Sequence, residues 1–385
     1  MVNSSTVDLP TANSPTVNSP TANSPTANSP TADSPTADSP TADLANDSEA
    51  FNLPVGSRVL VTGATGFTGA VLVRKLVKQG LEVVAIARPT SNIQQFEDLS
   101  IEWIKGDVFD ADLIEQATTG VNYIFHMVTP FREAKSPDQG YYNVHVLSTQ
   151  LLAKAALQQP DFKRFVHVST IGVHGHIAHP PADETYPMSP GDVYQDTKLE
   201  GEKWIKSFGE ESGLPVAIVR PAGIYGPGEQ RLLKIYKMVA KGWVPAIGNG
   251  SNLLHFIHVD DLTDCFLLTA THPKAIGETF ICGSERAITF KEMVSLISEE
   301  YSVPVRFVSL PGAPLFALAD LCELIFRPLG IEPPIYRRRL AFYTKDRSFN
   351  TSKIKNLLGF QPRHSDQEGL KELGQWYLEK QWISL

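Results

Sequence analysis

The chain has 385 residues, of which 42% are hydrophobic and 20% are charged, and its formal net charge is -8. This composition is ordinary for a globular protein with room for more than one domain, and the acidic balance excludes a large basic surface for nucleic acid. No apolar run is long enough to span a bilayer, and no secretory signal or transit peptide is recognisable, so we expect a cytoplasmic protein without a transmembrane segment.

Residues 1–50 are dominated by a five-residue repeat, seen as Thr11–Pro15 and again as Thr31–Pro35. Proline at every fifth position removes a backbone donor, and Asn, Asp, Ser and Thr side chains compete for the remaining backbone groups. We therefore expect a disordered tail. A catalytically idle tail is favoured over a tether for a partner.

From residue 51 onward, apolar runs that suit strands alternate with amphipathic helical stretches such as Ala70–Gln79, which Gly80 ends. This is the pattern of βαβ units around a parallel sheet. It predicts an α/β fold with a doubly wound Rossmann domain over 51–222. A smaller mixed α/β lobe, mainly for substrate, follows over 223–385, with some segments that return to the Rossmann domain. The predicted strands are Arg58–Val61, Glu82–Ile86, Ile101–Ile104, Tyr123–His126, Arg164–Val168 and Val216–Val219.

The first predicted strand leads into a glycine-rich loop, Thr62–Gly69, that opens a helix. Its first two glycines permit a tight turn and the close approach of a pyrophosphate. The third glycine lets the helix pack against the strand, and the helix N-terminus favours negative charge. The loop therefore predicts a dinucleotide site rather than a turn without a ligand. The predicted cofactor contacts in the loop are Gly63, Thr65, Gly66, Phe67 and Gly69.

The residue that ends the second strand indicates which nicotinamide cofactor binds. Enzymes that use NAD place an acidic residue there for the ribose 2′-hydroxyl, whereas this chain has Arg88, whose guanidinium suits a 2′-phosphate. We predict NADP(H); NAD(H) is the alternative cofactor, and a surface arginine is the alternative role for Arg88. Asp107, after the third strand, either accepts from the adenine amino group or caps a short turn.

Tyr194 and Lys198 are four residues apart in a helical stretch, so their side chains lie on one face, with Cβ atoms about 5–6 Å apart. A free tyrosine has a pKa near 10, and a neighbouring ammonium favours its phenolate. This pair therefore predicts an acid/base tyrosine whose pKa is lowered by the lysine. A third polar group is expected at the end of the preceding strand. Thr170 is favoured to hydrogen-bond the substrate oxygen, with Ser169 second, unless both only cap the strand.

No metal site is predicted. The cysteines lie far apart and lack ligand spacing, which favours small apolar residues in a reducing compartment. A loop with three histidines lacks a carboxylate or cysteine to complete a ligand set. The residues considered and set aside are Cys265, Cys282, Cys322, His174, His176 and His179.

Taken together, these features resemble the extended short-chain dehydrogenases/reductases, the group that includes NAD-dependent epimerases and dehydratases. The resemblance implies that Thr170 polarises the substrate oxygen, Tyr194 is the acid/base and Lys198 holds the nicotinamide ribose. The chain departs from the pattern in His126–Thr129, where small residues are commoner, and in His145, where an asparagine is often found. The matching segments are Thr62–Gly69, Gly106-Asp107, Ser169-Thr170, Tyr194 with Lys198, Arg220-Pro221 and Tyr225–Gly228; Pro221 is included among the cofactor contacts.

Two positions bear on the substrate class. Nucleotide-sugar members of this group usually carry an asparagine and an arginine where this chain has Gly223 and Leu254. Without that clamp the diphosphate charge is poorly compensated, unless Arg231 or Lys234 replaces it. His258, with Asp260 and Asp261 close by in sequence, resembles a catalytic dyad, but the family likeness makes it structural.

The C-terminal region resembles the 3β-hydroxysteroid dehydrogenase-like branch, and the end of the second strand resembles the dihydroflavonol reductases. A stripe at helical spacing either roofs an apolar pocket or faces the core. The stripe is Leu315, Leu318, Cys322 and Ile325, and the C-terminal resemblance rests on Ala313–Phe326, Pro333-Pro334, Arg337–Arg339 and Lys345–Phe349.

These observations predict an NADP(H)-dependent oxidoreductase that acts on a secondary alcohol or ketone of a largely apolar small molecule, such as a steroid, terpenoid or flavonoid. A nucleotide-sugar epimerase or dehydratase with tightly bound NAD(P) is the first alternative. A non-catalytic NADP(H)-sensing regulator is the second, and the Tyr194–Lys198 pair argues against it. Related enzymes commonly form homodimers, so a homodimer is expected.

Overall fold

The structure is a computed structural model that describes residues 51–129, 138–326, 329, 331, 333–337, 340 and 343–385. All of these residues belong to one compact unit, Ala45–Leu385. The predicted tail, residues 1–50, lies outside the described residues, as do Arg338 and Arg339 of the C-terminal resemblance.

The strands are short and numerous. They are β1 (Arg58–Thr62), β2 (Glu82–Ala87), β3 (Ile101–Lys105), β4 (Tyr123–His126), β5 (Arg164–Val168), β6 (Val216–Pro221), β7 (Gly223–Tyr225), β8 (Trp243–Ile247), β9 (Leu253–Leu254), β10 (Phe256–His258), β11 (Thr279–Cys282), β12 (Ile288–Thr289) and β13 (Arg306–Leu310).

The helices follow in the same chain order. They are α1 (Phe67–Lys78), α2 (Ala111–Thr118), α3 (Asp138–Tyr142), α4 (Ser148–Leu157), α5 (Val193–Ser212), α6 (Leu233–Ala240), α7 (Val259–Thr271), α8 (Phe290–Tyr301), α9 (Gly312–Phe326), α10 (Ser352–Leu358) and α11 (Asp366–Glu379). A π-helical turn, Asn143–Leu147, separates α3 from α4.

The central sheet has seven strands in the order β11-β6-β5-β4-β1-β2-β3, and every neighbouring pair is parallel. Its inner strands are buried runs of apolar, largely β-branched residues, as in β1 and β6, which is what a sheet covered on both faces requires. The order of the strands switches between β1 and β4: β2 and β3 lie on one side of β1, and β4, β5 and β6 lie on the other. Ligands bind at such a switch point, beyond the carboxyl ends of the strands. The predicted doubly wound fold is confirmed.

The seventh strand was not predicted from the sequence. β11 comes back to the sheet after four short strands of the second lobe and pairs with the far edge of β6, Thr279 opposite Ile218 and Cys282 opposite Pro221. Its four residues are too few for a period-2 pattern to be recognised.

The second lobe has its own apolar core, in which three tyrosine rings pack together. Tyr236 contacts Tyr301 and Tyr377 edge-on, at centroid distances of 5.9 and 5.0 Å. Their hydroxyls donate to backbone carbonyls, so the rings are buried without leaving a polar atom unpaired. The core is closed by pairs of short strands: β7 with β10, β8 with β13 and β9 with β12.

Helix α9 is apolar but lies at the surface. Ala319 is its one buried side chain, and Leu318 and Ile325 of the predicted stripe are 43% and 49% exposed. The alternative of a core-facing stripe is therefore wrong for these two residues, because a core position would have removed them from water. Within the described part of the chain, no helix has the length and hydrophobicity to cross a membrane.

Helix α5 is fixed to the sheet by a buried ion pair. Arg220 in β6 donates from Nε to both carboxylate oxygens of Glu202, each at 3.1 Å, and both side chains are 4% exposed. A third donor of the guanidinium reaches the carbonyl of Glu184 at 3.1 Å. The two charges satisfy each other, so removal of either one leaves the other uncompensated in a dry environment.

We predict that Glu202→Gln lowers the free energy of unfolding by about 3–5 kcal/mol, because the Arg220 guanidinium then loses its counter-ion. Urea denaturation measures the effect. Glu200→Gln is the matched control, since Glu200 is an exposed residue of the same helix. Equal stability of the two variants would show that the pair does not hold α5.

Candidate functional site

In the glycine-rich loop, backbone segments approach one another so closely that a side chain would not fit between them. Gly63 has a φ of +78°, and a Cβ there would lie 3.1 Å from the Val128 Cα atom beyond β4. A Cβ at Gly69 would lie 2.1 Å from the Gly63 carbonyl oxygen, and Gly66 donates its N–H to that oxygen at 3.0 Å. The loop is therefore pressed onto the ends of β1 and β4.

Helix α1 begins within this loop, at Phe67, and has no side-chain cap and no acidic residue in its first turn. Its first N–H groups thus lack the carboxylate or hydroxyl that usually satisfies them. An anion fits this end, because the N–H groups and the helix dipole both favour negative charge. The loop and the helix start fit a dinucleotide pyrophosphate. Thr65 and Phe67, both half-buried, lie in the same turn.

Arg88 and Asp107 also lie at the carboxyl edge, and both are exposed. Arg88 directly follows β2, and Asp107 lies two residues beyond the end of β3. The cap of α2 is Asp110, whose carboxylate accepts from the backbone of Asp112 and Leu113. Asp107 therefore does not cap that helix, although its carbonyl accepts from the Asp110 N–H at 3.1 Å.

Tyr194 and Lys198 lie in the first two turns of α5, which Asp192 caps. Both side chains are buried, at 8% and 4% exposure. The Lys198 ammonium donates to the Val168 carbonyl at 3.0 Å and to the Val128 carbonyl at 3.2 Å. Lysine 198 therefore spans the carboxyl ends of β4 and β5, next to the segment against which the glycine loop packs.

Two buried histidines in neighbouring strands lie beneath this lysine and stay neutral. His126 pairs in register with His167, and their rings are 5.7 Å apart. Burial and then the Lys198 ammonium lower the pKa of His126 to about 3. Burial, His126 and Lys198 hold the pKa of His167 well below its ordinary value. The Lys198 ammonium therefore carries a positive charge here, whereas the two histidines are uncharged.

Thr170 and Ser169 follow β5, and their hydroxyls differ in accessibility. Thr170 is half-buried, and its oxygen accepts from the Gly172 N–H at 3.0 Å, which leaves its own proton to donate. The Ser169 hydroxyl is buried and has no partner among the described residues. A substrate oxygen can therefore reach Thr170 more readily than Ser169.

Residues of the second lobe contact the glycine-rich loop and lie near Tyr194. The ring of Phe67 lies against Gly228, where a Cβ would be 3.2 Å from it. Arg231 donates from Nε to Glu229 at 2.8 Å. Desolvation lowers the pKa of Arg231, but its bonds to Glu229 and the nearby Tyr194 raise it overall, and the side chain keeps 64% of its surface exposed. This arginine near Tyr194 was not assigned a catalytic role from the sequence.

Among the described residues, His258, His364 and Glu372 bring possible metal ligands within 4.8 Å of one another. The His258 Nδ1 accepts from the Asp260 N–H, so its Nε2 carries the proton and faces Glu372 at 3.2 Å. The two imidazoles are stacked, with centroids 4.0 Å apart and planes at 28°. His364 bonds Asp261 at 3.0 Å. The cluster holds α11 against α7.

The histidine loop is likewise structural at its buried member. His174 bonds the Tyr186 carbonyl through Nδ1 and the Arg220 guanidinium through Nε2, both at 3.1 Å. Burial, followed by the charge of Arg220, lowers the pKa of His174. His176 and His179 are exposed.

The residues that the sequence predicts for the cofactor and the chemistry thus lie at the carboxyl ends of the parallel strands or in the first turns of α1 and α5. Pro221, the last residue of β6, is buried opposite Cys282 at the same edge. The residues around Tyr194, namely Tyr141, His145 and Arg231, were not predicted. His145 carried a signal, since it stands where the resembled family often has asparagine.

Comparison with known proteins adds to this geometry. The profile described as the NAD dependent epimerase/dehydratase family matches residues 59–283. A 3 beta-hydroxysteroid dehydrogenase/Delta 5-->4-isomerase of Mycobacterium tuberculosis (strain ATCC 25618 / H37Rv) is 29% identical, over 83% of this chain and 90% of that protein. A UDP-glucose 4-epimerase of Mycolicibacterium smegmatis is 27% identical, over 84% and 99%.

A solved structure is similar as well. An epimerase from Methanothermobacter thermautotrophicus superimposes with a TM-score of 0.70 at 25% identity, and the match covers 87% of this chain and 96% of that one.

We predict that Gly69→Ala abolishes measurable binding of NADPH, because its Cβ would lie 2.1 Å from the Gly63 carbonyl and would push the loop off the strand. Fluorescence titration with NADPH measures the affinity. Gly140→Ala is the control, since nothing lies within 4 Å of a Cβ there. Unchanged NADPH affinity in the Gly69 variant would place the dinucleotide elsewhere.

Proposed function

We propose, for a chain that belongs to the NAD dependent epimerase/dehydratase family, that it is an NADP(H)-dependent oxidoreductase of a secondary alcohol or ketone in a largely apolar molecule. The observation that carries the proposal is the burial of Tyr194 and Lys198 on α5, where Lys198 reaches the carbonyls at the ends of β4 and β5. This places an acid/base group beside a loop that fits a dinucleotide.

The reaction divides simply among the residues. When bound, the nicotinamide cofactor takes or supplies the hydride. Tyr194 takes the proton of the substrate hydroxyl as the carbon loses its hydride, and it returns the proton in the opposite direction. The Thr170 hydroxyl donates to the same oxygen and holds it in place. Lys198 would hold the nicotinamide ribose, and it adds a positive charge one helical turn after Tyr194.

An apolar substrate is supported by the absence of a diphosphate clamp. Gly223 packs so closely that a Cβ would lie 3.1 Å from the His255 carbonyl oxygen. Leu254 is 3% exposed and belongs to the core of the second lobe. The Arg231 guanidinium, a possible replacement clamp, is bonded to Glu229 and to the Ile224 carbonyl. Gly223 and Leu254 therefore offer two phosphates no compensating charge. Lys234, exposed on α6, is the other candidate for a replacement clamp.

The exposed apolar side chains of α9 support the same substrate class, since a pocket for a steroid-like molecule needs apolar surface that the core does not consume. The similarity to a 3 beta-hydroxysteroid dehydrogenase agrees with it.

A nucleotide-sugar epimerase is the second candidate, and the similarity to a UDP-glucose 4-epimerase favours it. The two candidates differ in net cofactor turnover. A dehydrogenase changes one NADP(H) for each substrate molecule, whereas an epimerase restores its cofactor in every cycle.

The NADP(H) preference rests on Arg88, an exposed residue that directly follows β2, at the position where NAD-dependent enzymes carry an acidic residue. We predict that Arg88→Ala weakens NADPH binding about 10–100-fold, since a charge-assisted pair with the 2′-phosphate is lost. NADH binding should change little, because NADH has no such phosphate. Fluorescence titrations with both cofactors measure this.

Lys78→Ala is the control for the change in net charge, because Lys78 is exposed at the far end of α1. Equal losses for NADPH and NADH in the Arg88 variant, or no loss for either, would count against selection of the 2′-phosphate by this residue.

We predict that the wild-type protein reduces NADP⁺ with pregnenolone, a 3β-hydroxysteroid, and that Tyr194→Phe lowers kcat at least about 100-fold through loss of acid/base catalysis. NADPH absorbance measures the rate. Tyr142→Phe, a half-buried tyrosine of α3, should keep the wild-type rate. Full activity in Tyr194→Phe would refute the assigned role, and conversion of a UDP-sugar without net NADPH would favour the epimerase.

A further inference from the structure

His145 lies in the π-helical turn between α3 and α4 and is 1% exposed. Its ring is hydrogen-bonded on both sides. Nδ1 lies 2.8 Å from the Thr197 hydroxyl oxygen on α5, and Nε2 lies 3.2 Å from the Thr129 hydroxyl oxygen beyond β4. The imidazole thus bridges the catalytic helix and the edge of the sheet on which the cofactor site is built.

The proton positions in this bridge follow from Thr197. Its hydroxyl donates to the Val193 carbonyl at 2.8 Å, one helical turn back, and a hydroxyl has a single proton to give. Its oxygen must therefore accept from Nδ1–H of His145. A neutral His145 then has its lone pair on Nε2, which lies 3.2 Å from the Thr129 hydroxyl oxygen. The bridge therefore joins Thr129 to Thr197 through one imidazole.

The same ring touches the proposed catalytic tyrosine. His145 meets Tyr194 edge-on, with centroids 5.4 Å apart and planes at 75°. Tyr141 contacts both rings, at 5.9 Å from His145 and 6.4 Å from Tyr194. The three rings therefore limit the tilt of the phenol, in geometries that aromatic pairs prefer.

A backbone contact fixes the height of this assembly along α5. A Cβ at Gly201 would lie 2.5 Å from the His145 carbonyl oxygen, so α5 and the π turn approach more closely than any other residue would allow. The turn also carries His145 on a segment that leaves the regular helical path, a feature often found at functional sites. The contact thus fixes the position of His145 relative to Tyr194 along the axis of α5.

We infer that His145 is a positioning residue for Tyr194: the Thr129–His145–Thr197 bridge holds the imidazole, and the imidazole holds the phenol at its distance from Lys198. The inference rests on the proposed function of Tyr194. Among the described residues, the Arg231 guanidinium of the second lobe acts on this phenol, and Lys198 lies one helical turn further along α5. A phenol that tilts away from Lys198 loses part of the attraction that favours its phenolate.

The test compares His145→Phe, which keeps a planar ring without nitrogens, with His145→Gln, which keeps polar atoms without the ring. Phenolate absorbance is followed against pH in the NADP⁺ complex. The titration of the Tyr194→Phe protein is subtracted, so that the difference reports the ionisation of Tyr194 alone. We expect the midpoint of this difference titration to move up by about one pH unit in both variants. With pregnenolone, kcat should fall about 10–100-fold, while NADPH affinity stays within about 3-fold of wild type because the glycine loop is untouched.

Thr129→Val is the second probe should the buried substitutions prevent folding. Thr129 is exposed, so its loss is tolerated, and removal of its O–H should move the midpoint in the same direction by a smaller amount. His176→Phe, at an exposed histidine, is the matched control and should leave it unchanged. An unchanged midpoint in the His145 variants and in Thr129→Val would overturn the inference.

The titration needs no substrate, so it separates this inference from the proposed function. If pregnenolone is not oxidised, or if Tyr194→Phe remains active, the proposed function fails, whatever the titration shows. If Tyr194→Phe is inactive and the His145 variants keep the wild-type midpoint and kcat, the proposed function stands and the inference fails.

Discussion

The buried contact between Arg220 and Glu202 is the interaction on which the site depends, because it fixes α5 to the sheet. That helix carries Tyr194, Thr197 and Lys198, so its position decides where the acid/base group lies relative to the strand ends. Two opposite charges at 4% exposure cannot separate without leaving each other unsolvated. Gly201 adds a backbone contact on the π turn. The catalytic helix is therefore held from two sides, by charge and by shape.

The cofactor side is fixed by a different physical means, the absence of side chains. The glycine loop reaches the ends of β1 and β4 because Gly63 and Gly69 carry no Cβ, and the uncapped start of α1 then presents its N–H groups to an anion. Lys198 connects the two halves, since it donates to the carbonyl of Val128, which belongs to the segment that packs on Gly63. His126 and His167, beneath the lysine, are neutral and add no second positive charge.

The sequence predicted what local patterns determine. Buried runs of β-branched residues located six strands of the sheet, and the loop after β1 located the dinucleotide site. It did not predict β11, whose four residues acquire meaning only beside β6. It left Asp107 with two roles, an adenine contact or the cap of a short turn. The Asp107 carbonyl accepts from the Asp110 N–H, and Asp110 is the cap of α2. The contact of His145 with Tyr194 required the crossing of two helices, which no spacing in one chain segment encodes.

The most direct test of the central claim follows the hydride itself. Pregnenolone deuterated at its carbinol carbon is offered with NADP⁺, and the mass of the recovered cofactor is measured. The account predicts that the deuterium moves into NADPH, with one NADPH formed for each ketone. A cofactor recovered as unlabelled NADP⁺, with a UDP-sugar epimerised or dehydrated by the same protein, would contradict it.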